Sequence, residues 1–381
     1  LKILILANTG WYLRHFRLPL AMAARDLGHE VVLACPNDAD VSRLEQAGFR
    51  WVEVKLSRQG MNPLAEIVSL WRLVRLYRQE QPDLVHHFTI KCVLYGSIAA
   101  RLAGVHAVVN AITGMGYAFS GKSVAARFAG FWASLLYRLA LGGTQVIFQN
   151  PDDCAAFVKR GFIQPDSGFL IRGSGVDVAQ FKPCAEFAQA RTLTVLLASR
   201  LLWSKGVGEY VAAAARVRRQ LPDVAFLLAG VPDAGNPDSI LPSVLLQWEA
   251  EGAVTPLGQR EDMAELMRQV DLLVLPSRYG EGVPRCLIEG AASGLALVAS
   301  DTPGCREIVQ DGVNGRLVPP GDVEGLAQAI LSLLQDDKLR TEMGEKSRQL
   351  ACEGFSEEQV ITRTLQVYQM ALSSGSAGQS C

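Results

Sequence analysis

The strongest constraint on this chain is a rhythm. Short apolar runs alternate with amphipathic segments almost from end to end. In the first half the runs are KILILAN, EVVLACP, DLVHHFT, AVVNAIT and QVIFQN. Runs this short and this uniformly apolar read as strands buried on both faces of a parallel sheet, where a helical crossover must join each strand to the next. The rhythm lapses in GSGVDVAQFKPCAEFAQA, which has turn residues and no sustained pattern. It resumes with TLTVLLAS, VAFLLAG, AVTPLG, DLLVLPS, ALVAS and GRLVPP. Two such series in tandem predict two doubly wound, Rossmann-like α/β domains, residues 1–178 and 190–355, joined near residues 176–192. The helical pattern of residues 356–373 has no strand to serve and is expected to pack back on the first domain.

A length of 381 residues suits two cores, and 49% hydrophobic with 20% charged residues is a globular composition. No apolar stretch approaches the roughly 18 residues of a spanning helix. The opening LKILILANTG is too short an apolar run for a signal peptide and reads as the first strand. Eight cysteines (Cys35, Cys92, Cys154, Cys184, Cys286, Cys305, Cys352 and Cys381) form no CxxC pair, which favours a reducing, cytoplasmic setting over disulfides or zinc. The net charge of −1 hides an asymmetry: residues 1–182 hold 20 Lys and Arg against 13 Asp and Glu, and the rest hold 17 against 25. No recognition motif for nucleic acid accompanies the basic half, so nucleic acid is not an expected partner. An anionic membrane surface fits it better.

In doubly wound sheets ligands bind beyond the carboxyl ends of the strands. After DLLVLPS comes YGEGVPRCLIEG, with Glu281 and Glu289 eight positions apart. Pro284 suits the first turn of a helix, where its missing N–H has no intrahelical partner. A helix starting there leaves the amides of Arg285, Cys286 and Leu287 for an anion, and Gly282, before Val283, lets a ligand approach the backbone. Three readings compete: an acid–base carboxylate pair roughly 10 Å apart, two holders of one polar ligand, or a solvated helix start. Beside an anion-ready helix end, acceptance of sugar or ribose hydroxyls explains the glutamates better. ASRLLWSKGVGEY follows TLTVLLAS and places Arg200 and Lys205 at a second strand exit of the same domain, as a diphosphate clamp. The coupling of the two stretches favours function over solvation.

Together SRLLWSKG, GVPDAGNP, LPSRYGEGVPRCLIEGAASGLALVASDTPGCREIV and DGVNGRLVPPGD resemble the nucleotide-binding half of glycosyltransferase family 4, retaining enzymes of the GT-B fold. In that fold two Rossmann-like domains face each other across a cleft. Upstream, NTGWYLRHFRLPLAMAARDLGHEV, HHFTIKCVLYGSIAARLAG, NAITGMGYAFSG and RGSGVDVAQFKP resemble its capsule and glycan-assembly branch, which includes N-acetylgalactosaminyltransferases that extend a polyprenyl-diphosphate-linked sugar. The resemblance covers about residues 2–370. It implies that Glu281 accepts from donor-sugar hydroxyls and Glu289 from the ribose diol. Arg200 and Lys205 would neutralise the diphosphate with the amides after Gly282, Gln259 and Arg260 would frame the base, and Gly10 would lie at the donor.

One departure matters. Where many members carry a histidine after the fifth strand of the first domain, this chain has Thr113, which can hydrogen-bond but has no imidazole basicity. His86 and His87 leave the neighbouring strand and are candidates to face the cleft, the competing reading being structural burial. His15, on a strand-exit loop, and Lys91 are further candidates to meet the acceptor, whereas His29 and His106 read as turn or surface residues. No Asp-x-Asp motif follows a strand, and two cations with a helix end can stabilise a leaving diphosphate, so no cofactor or metal is expected. PLAEIVSLWRLVRLYRQ, with Leu70, Trp71, Val74 and Tyr77 beside Arg72, Arg75 and Arg78, suits either an interfacial helix or one covering the sheet. SVAARFAGFWASLLYRLALG, with Phe128, Phe131, Trp132, Leu135 and Leu136 edged by Lys122, Arg127 and Arg138, reads the same way.

The expected activity is transfer of a hexose or N-acetylhexosamine from a UDP-sugar to a polyprenyl-diphosphate-linked sugar, with retention, on the inner face of the cell membrane. Rival readings are a UDP-N-acetylhexosamine 2-epimerase of similar fold, which would turn over without acceptor, and a non-catalytic nucleotide-sugar-binding subunit.

Overall fold

A computed structural model describes residues 1–55, 63–114, 134–184, 192–279 and 282–377. The chain forms two compact units, Leu1–Ser174 with Glu358–Cys381, and Gly175–Glu357. The first is built on the parallel strands β1 (Lys2–Leu6), β2 (Glu30–Cys35), β3 (Arg50–Glu53), β4 (Leu84–Phe88), β5 (Ala107–Ile112), β6 (Gln145–Phe148) and β7 (Gly168–Leu170), in spatial order 3-2-1-4-5-6-7. The second holds β8 (Thr194–Ala198), β9 (Ala225–Ala229), β10 (Thr255–Gly258), β11 (Leu272–Leu275), β12 (Ala296–Ser300) and β13 (Gly315–Val318), also parallel, in order 10-9-8-11-12-13. In each sheet the order reverses beside the first strand, between β1 and β4 and between β8 and β11. These reversals open the crevices in which doubly wound sheets bind ligands.

Every apolar run of the sequence supplies a strand. The strands it did not announce are β3 and β7, both at an edge of the first sheet. Neither is fully buried: β3 reads exposed, half-buried, half-buried, exposed, whereas β5 is buried at every position. An edge strand is covered less and does not need an apolar run. The boundary also lies earlier than the sequence suggested. Val176 and Phe181 are buried in the second unit's core with Leu196, Leu273 and Leu287, and Arg348 Nη1 donates to the Phe181 and Ala292 carbonyls. The stretch around Val176 and Phe181 is therefore core rather than linker.

The helix Glu357–Ala377 returns the chain to the first unit, where Val360, Val367, Tyr368 and Ala371 join the core of Ile3, Ile5 and Phe88. On the helix Pro63–Glu80 the two readings left open in sequence divide between residues. Val74 and Tyr77 are buried against the sheet with Leu73 and Leu76. Ile67, Val68 and Trp71 point the other way, exposed with Arg72, Arg75 and Arg78.

His86 and His87 do not leave β4; both lie inside it and are buried. Alternation along the strand sends them to opposite faces of the sheet. His86 Nδ1 meets the Tyr368 hydroxyl at 2.8 Å. His87 Nδ1 lies 2.9 Å from Asn110 Oδ1, an acceptor only, so Nδ1 carries the proton and Nε2 accepts from the Tyr77 hydroxyl at 3.0 Å. Gly96 makes room for this ring, since a Cβ there would stand 2.7 Å from His87 Nε2.

Burial pushes His87 down to about 4, against the opposing bond from Asn110, and pushes His86 down as well, helped by the charge of Arg17. Unfolded imidazoles titrate near 6.5, so below that pH the unfolded chain takes up protons that the folded chain refuses. Stability present at neutral pH is therefore lost as pH falls from about 6.5 towards 4, with His87 alone contributing about 3 kcal/mol. Urea unfolding across that window should show the loss, and His87→Gln should flatten it; parallel profiles for the two proteins would refute the assignment.

Candidate active site

The second unit brings two strand exits together at its reversal. β8 runs into Ser199–Leu202, a single 3-10 turn Trp203–Lys205, Gly206 and the helix Val207–Val217. Gly206 has φ +75°, and a Cβ there would stand 1.9 Å from the carbonyl oxygen of Pro276, just past β11. The loops are bonded as well as packed: the Arg278 N–H donates to the Ser204 carbonyl at 2.8 Å, and Ser277 Oγ reaches that oxygen at 3.3 Å. The Arg278 guanidinium pairs with Glu209, whose carboxylate is buried in the first turn of the following helix. On the other side Gly230, at φ +139°, leaves no room for a Cβ against the Ser199 carbonyl, so the exit of β9 closes on the same loop.

Arg200 and Lys205 thus sit on one short loop at the crevice. Arg200 is exposed, and its Nη1 donates to Asp233 Oδ2 at 2.8 Å. Asp233 is held in turn by Ser239 Oγ, which accepts from its N–H at 2.9 Å. An ion pair this exposed contributes no more than about 1 kcal/mol, so a phosphate can displace the carboxylate at little cost. Sequence reasoning did not single out Asp233, although the stretch that holds it, GVPDAGNP, was in view.

The helix at the β11 exit begins at Arg285 and runs to Ala292, with Pro284 as its N-cap. The start lies one residue later than Pro284 at the first helical position would give. The Leu287 N–H donates to the Pro284 carbonyl at 3.1 Å and so is not among the amides left for an anion. The side chains of Val283 and Leu287 are buried in the core, and Gly282 is buried too. Any part Val283 plays at a ligand falls to its backbone. Glu289 lies in the second turn, its Oε1 accepting from Arg285 Nε at 2.7 Å. Burial pushes its carboxyl up, while the Arg285 charge and hydrogen bond pull it down. Glu281 lies outside the described residues.

The remaining candidates are dispersed. Gln259 and Arg260 follow β10, exposed, and Arg260 forks onto its neighbour Asp262 at 2.7 and 2.5 Å. In the first unit Gly10 opens a helix, Gly10–Phe16, at the exit of β1. Its N–H donates to Asp38 Oδ2 at 2.7 Å, and the Trp11 N–H to the same oxygen at 3.2 Å. An internal carboxylate therefore occupies that helix end. His15 is in the last turn of this helix rather than on a loop, its Nδ1 2.9 Å from the Trp11 carbonyl and its ring stacked on Trp11. Lys91 is paired with Glu66 at 2.7 Å. Thr113 directly follows β5, half-buried. Among the described residues no group of three or more His, Cys, Asp or Glu could hold a metal ion.

Comparison with known proteins gives this arrangement its class. The family described as Glycosyl transferases group 1 matches residues 192–336, and that described as Glycosyl transferase 4-like matches residues 2–150. The two matches fall in different units and together take in most of the chain, which belongs to these glycosyltransferases. Its architecture is that of the GT-B enzymes: a solved Anabaena protein, HepE, described in complex with UDP and glucose, superposes with a TM-score of 0.80 at 22% identity over 97% of this chain and 99% of that one. The chain is 27% identical, over 97% of its own length and 98% of the relative's, to a Campylobacter jejuni N,N'-diacetylbacillosaminyl-diphospho-undecaprenol alpha-1,3-N-acetylgalactosaminyltransferase. It is 25% identical, over 86% and 85%, to an Escherichia coli UDP-Gal:alpha-D-GlcNAc-diphosphoundecaprenol alpha-1,3-galactosyltransferase.

The contact at Gly206 yields a direct test. Gly206→Ala adds a left-handed strain and a backbone overlap, and should destabilise the protein by at least about 2 kcal/mol in urea unfolding. An unchanged midpoint would show that the two loops are not held by this contact.

Proposed function

We propose that this glycosyltransferase moves a hexose or N-acetylhexosamine from a UDP-sugar to a sugar carried on a polyprenyl diphosphate, with retention of configuration. The observation that carries this reading is the similarity, end to end with the Campylobacter jejuni transferase and over most of the chain with the Escherichia coli one, to enzymes whose names specify acceptors of that kind. The Escherichia coli name also specifies a UDP-linked donor, and UDP is bound in the Anabaena relative of the same fold. In the proposed reaction Arg200 and Lys205 take the diphosphate and Glu289 the ribose. The bond from the anomeric carbon to the diphosphate oxygen breaks, the acceptor oxygen bonds that carbon from the same face, and its proton passes to the departing diphosphate. The chain then contributes position and fixed charge rather than a nucleophile. Two cations at one loop support a transfer that needs no metal ion.

Nucleotide release from a panel of UDP- and GDP-sugars, with and without a polyprenyl-diphosphate-sugar acceptor and in EDTA, tests the donor, the acceptor and the metal requirement. Release is expected from one UDP-sugar only, and only with acceptor. An isomeric UDP-sugar formed without acceptor would mean an epimerase, and activity restored only by Mg or Mn would overturn the metal-independent part.

Such an acceptor lies in a membrane, and we assign the surface that meets it. No helix among the described residues is long and apolar enough to cross a membrane. On the helix Pro63–Glu80, Trp71 is 59% exposed, with Val68, Arg72, Arg75 and Arg78 at helical spacing on the same face. Arg78 Nη2 donates to the Leu102 carbonyl, and Arg101 to the carbonyls of Leu139 and Gly142, so this face continues across exposed Leu102, Leu135 and Leu139. Exposed Trp and Leu among arginines match an anionic interface. At about 1 kcal/mol per arginine, reversing Arg72, Arg75 and Arg78 to Glu should weaken binding to phosphatidylglycerol vesicles at least about a hundredfold at low salt. Undiminished binding would place the membrane contact elsewhere. The expected setting is peripheral attachment on the cytoplasmic side.

A further inference from the structure

Arg285 lies between two carboxylates on different elements. Its Nε donates to Glu289 Oε1 at 2.7 Å along their shared helix, and its Nη2 lies 4.0 Å from Glu357 Oε1. The three side chains are only 22%, 14% and 24% exposed. Burial pushes both carboxyls up and Arg285 pulls both down, while Asp177 and Glu289 add negative charge beside Glu357.

Glu357 belongs to neither strand-exit loop. It ends the second unit, at the point where the chain returns to the first. Its N–H donates to the Val176 carbonyl at 3.0 Å, and the Val176 N–H donates to the Phe355 carbonyl at 3.0 Å. Gly175, at φ +77°, lies so close that a Cβ would stand 2.7 Å from the Glu357 Cα. The backbone of Glu357 is therefore pinned on its own strap, independently of the helix that carries Arg285 and Glu289.

A guanidinium attracted by Glu289 alone would close on it fork to fork and engage both carboxylate oxygens. One drawn towards Glu357 at its far end is held to contact through Nε, and the second oxygen of Glu289 keeps its acceptor capacity. We propose that Glu357 is a positioning residue for nucleotide binding: by anchoring the far end of Arg285 it keeps Glu289 open to the hydroxyl pair of the donor's ribose. This rests on the reading of Glu289 as the ribose ligand.

The test titrates the full-length protein with UDP and with 2′,3′-dideoxy-UDP, following kcat and donor KM in parallel. Glu357→Gln should weaken UDP about 5- to 10-fold, the equivalent of one hydrogen bond, and leave the dideoxy nucleotide unchanged. Donor KM should rise with kcat held. In an Arg285→Met background the same substitution should add nothing. Equal losses for both nucleotides, or an undiminished loss without Arg285, would overturn the proposal in favour of a structural role for Glu357. Glu289→Gln separates the two ideas. If that variant retains the wild-type preference for UDP over the dideoxy form, the ribose reading of Glu289 fails. If it loses the preference while Glu357→Gln retains it, only the inference about Glu357 fails. Should Glu357→Gln unfold, Glu357→Asp keeps the charge one methylene further back, and an intermediate, UDP-selective loss is expected; no selectivity would sink the idea.

Discussion

The site depends on a place where two backbones touch. Gly206 can sit against the Pro276 carbonyl only because it has no Cβ and can hold φ +75°. That contact brings the exit of β8 onto the exit of β11, and the other features follow from it. Ser204 can then accept from the Arg278 amide, and Glu209, in the first turn of the next helix, can reach the Arg278 guanidinium. Lys205 and Arg200 are delivered to the same crevice as the helix Arg285–Ala292. A side chain at position 206 would force these loops apart and separate Arg200 and Lys205 from the helix Arg285–Ala292 without altering any of those residues.

A second regularity, seen in each unit separately, is that several positive features at strand exits already have an internal carboxylate. Arg200 has Asp233, Arg285 has Glu289, Arg278 has Glu209, and the helix end at Gly10 has Asp38. These pairs differ in consequence. The exposed Arg200–Asp233 pair is cheap to exchange for a phosphate. The Arg278–Glu209 pair involves a buried carboxylate, and breaking it would leave an uncompensated charge, so it holds structure rather than ligand. Exposure, more than distance, separates a cation available for chemistry from one committed to the fold.

The adjacent histidines of β4 make the same point in the other unit. In sequence, HHFT left two readings open, imidazoles facing a cleft or histidines buried for structure. In the structure the strand continues through them, and each is absorbed by a hydroxyl or amide partner: Tyr368 for His86, Tyr77 and Asn110 for His87. The partner of His86 lies 282 positions away in the chain. No reading of local pattern could have supplied it.

The sequence by itself determined the elements and their class. Strands buried on both faces are largely apolar, so their runs are written plainly, and the two series predict two parallel sheets without reference to any fold. The same logic locates the loop that carries Arg200 and Lys205 and the helix start ahead of Glu289, because ligand sites of such sheets follow strands. The half-exposed edge strands β3 and β7 escaped for the converse reason, since a strand covered on one side needs no apolar run. Tertiary structure alone decided how each charge is used. Whether a cation is held by a neighbour, a distant carboxylate or neither depends on which loops the fold brings together. Pairings such as Arg200 with Asp233 and Arg285 with Glu357 join segments whose separation in sequence carries no periodic signal. Hydrophobic pattern is local and repeats, whereas electrostatic partnership is set in space.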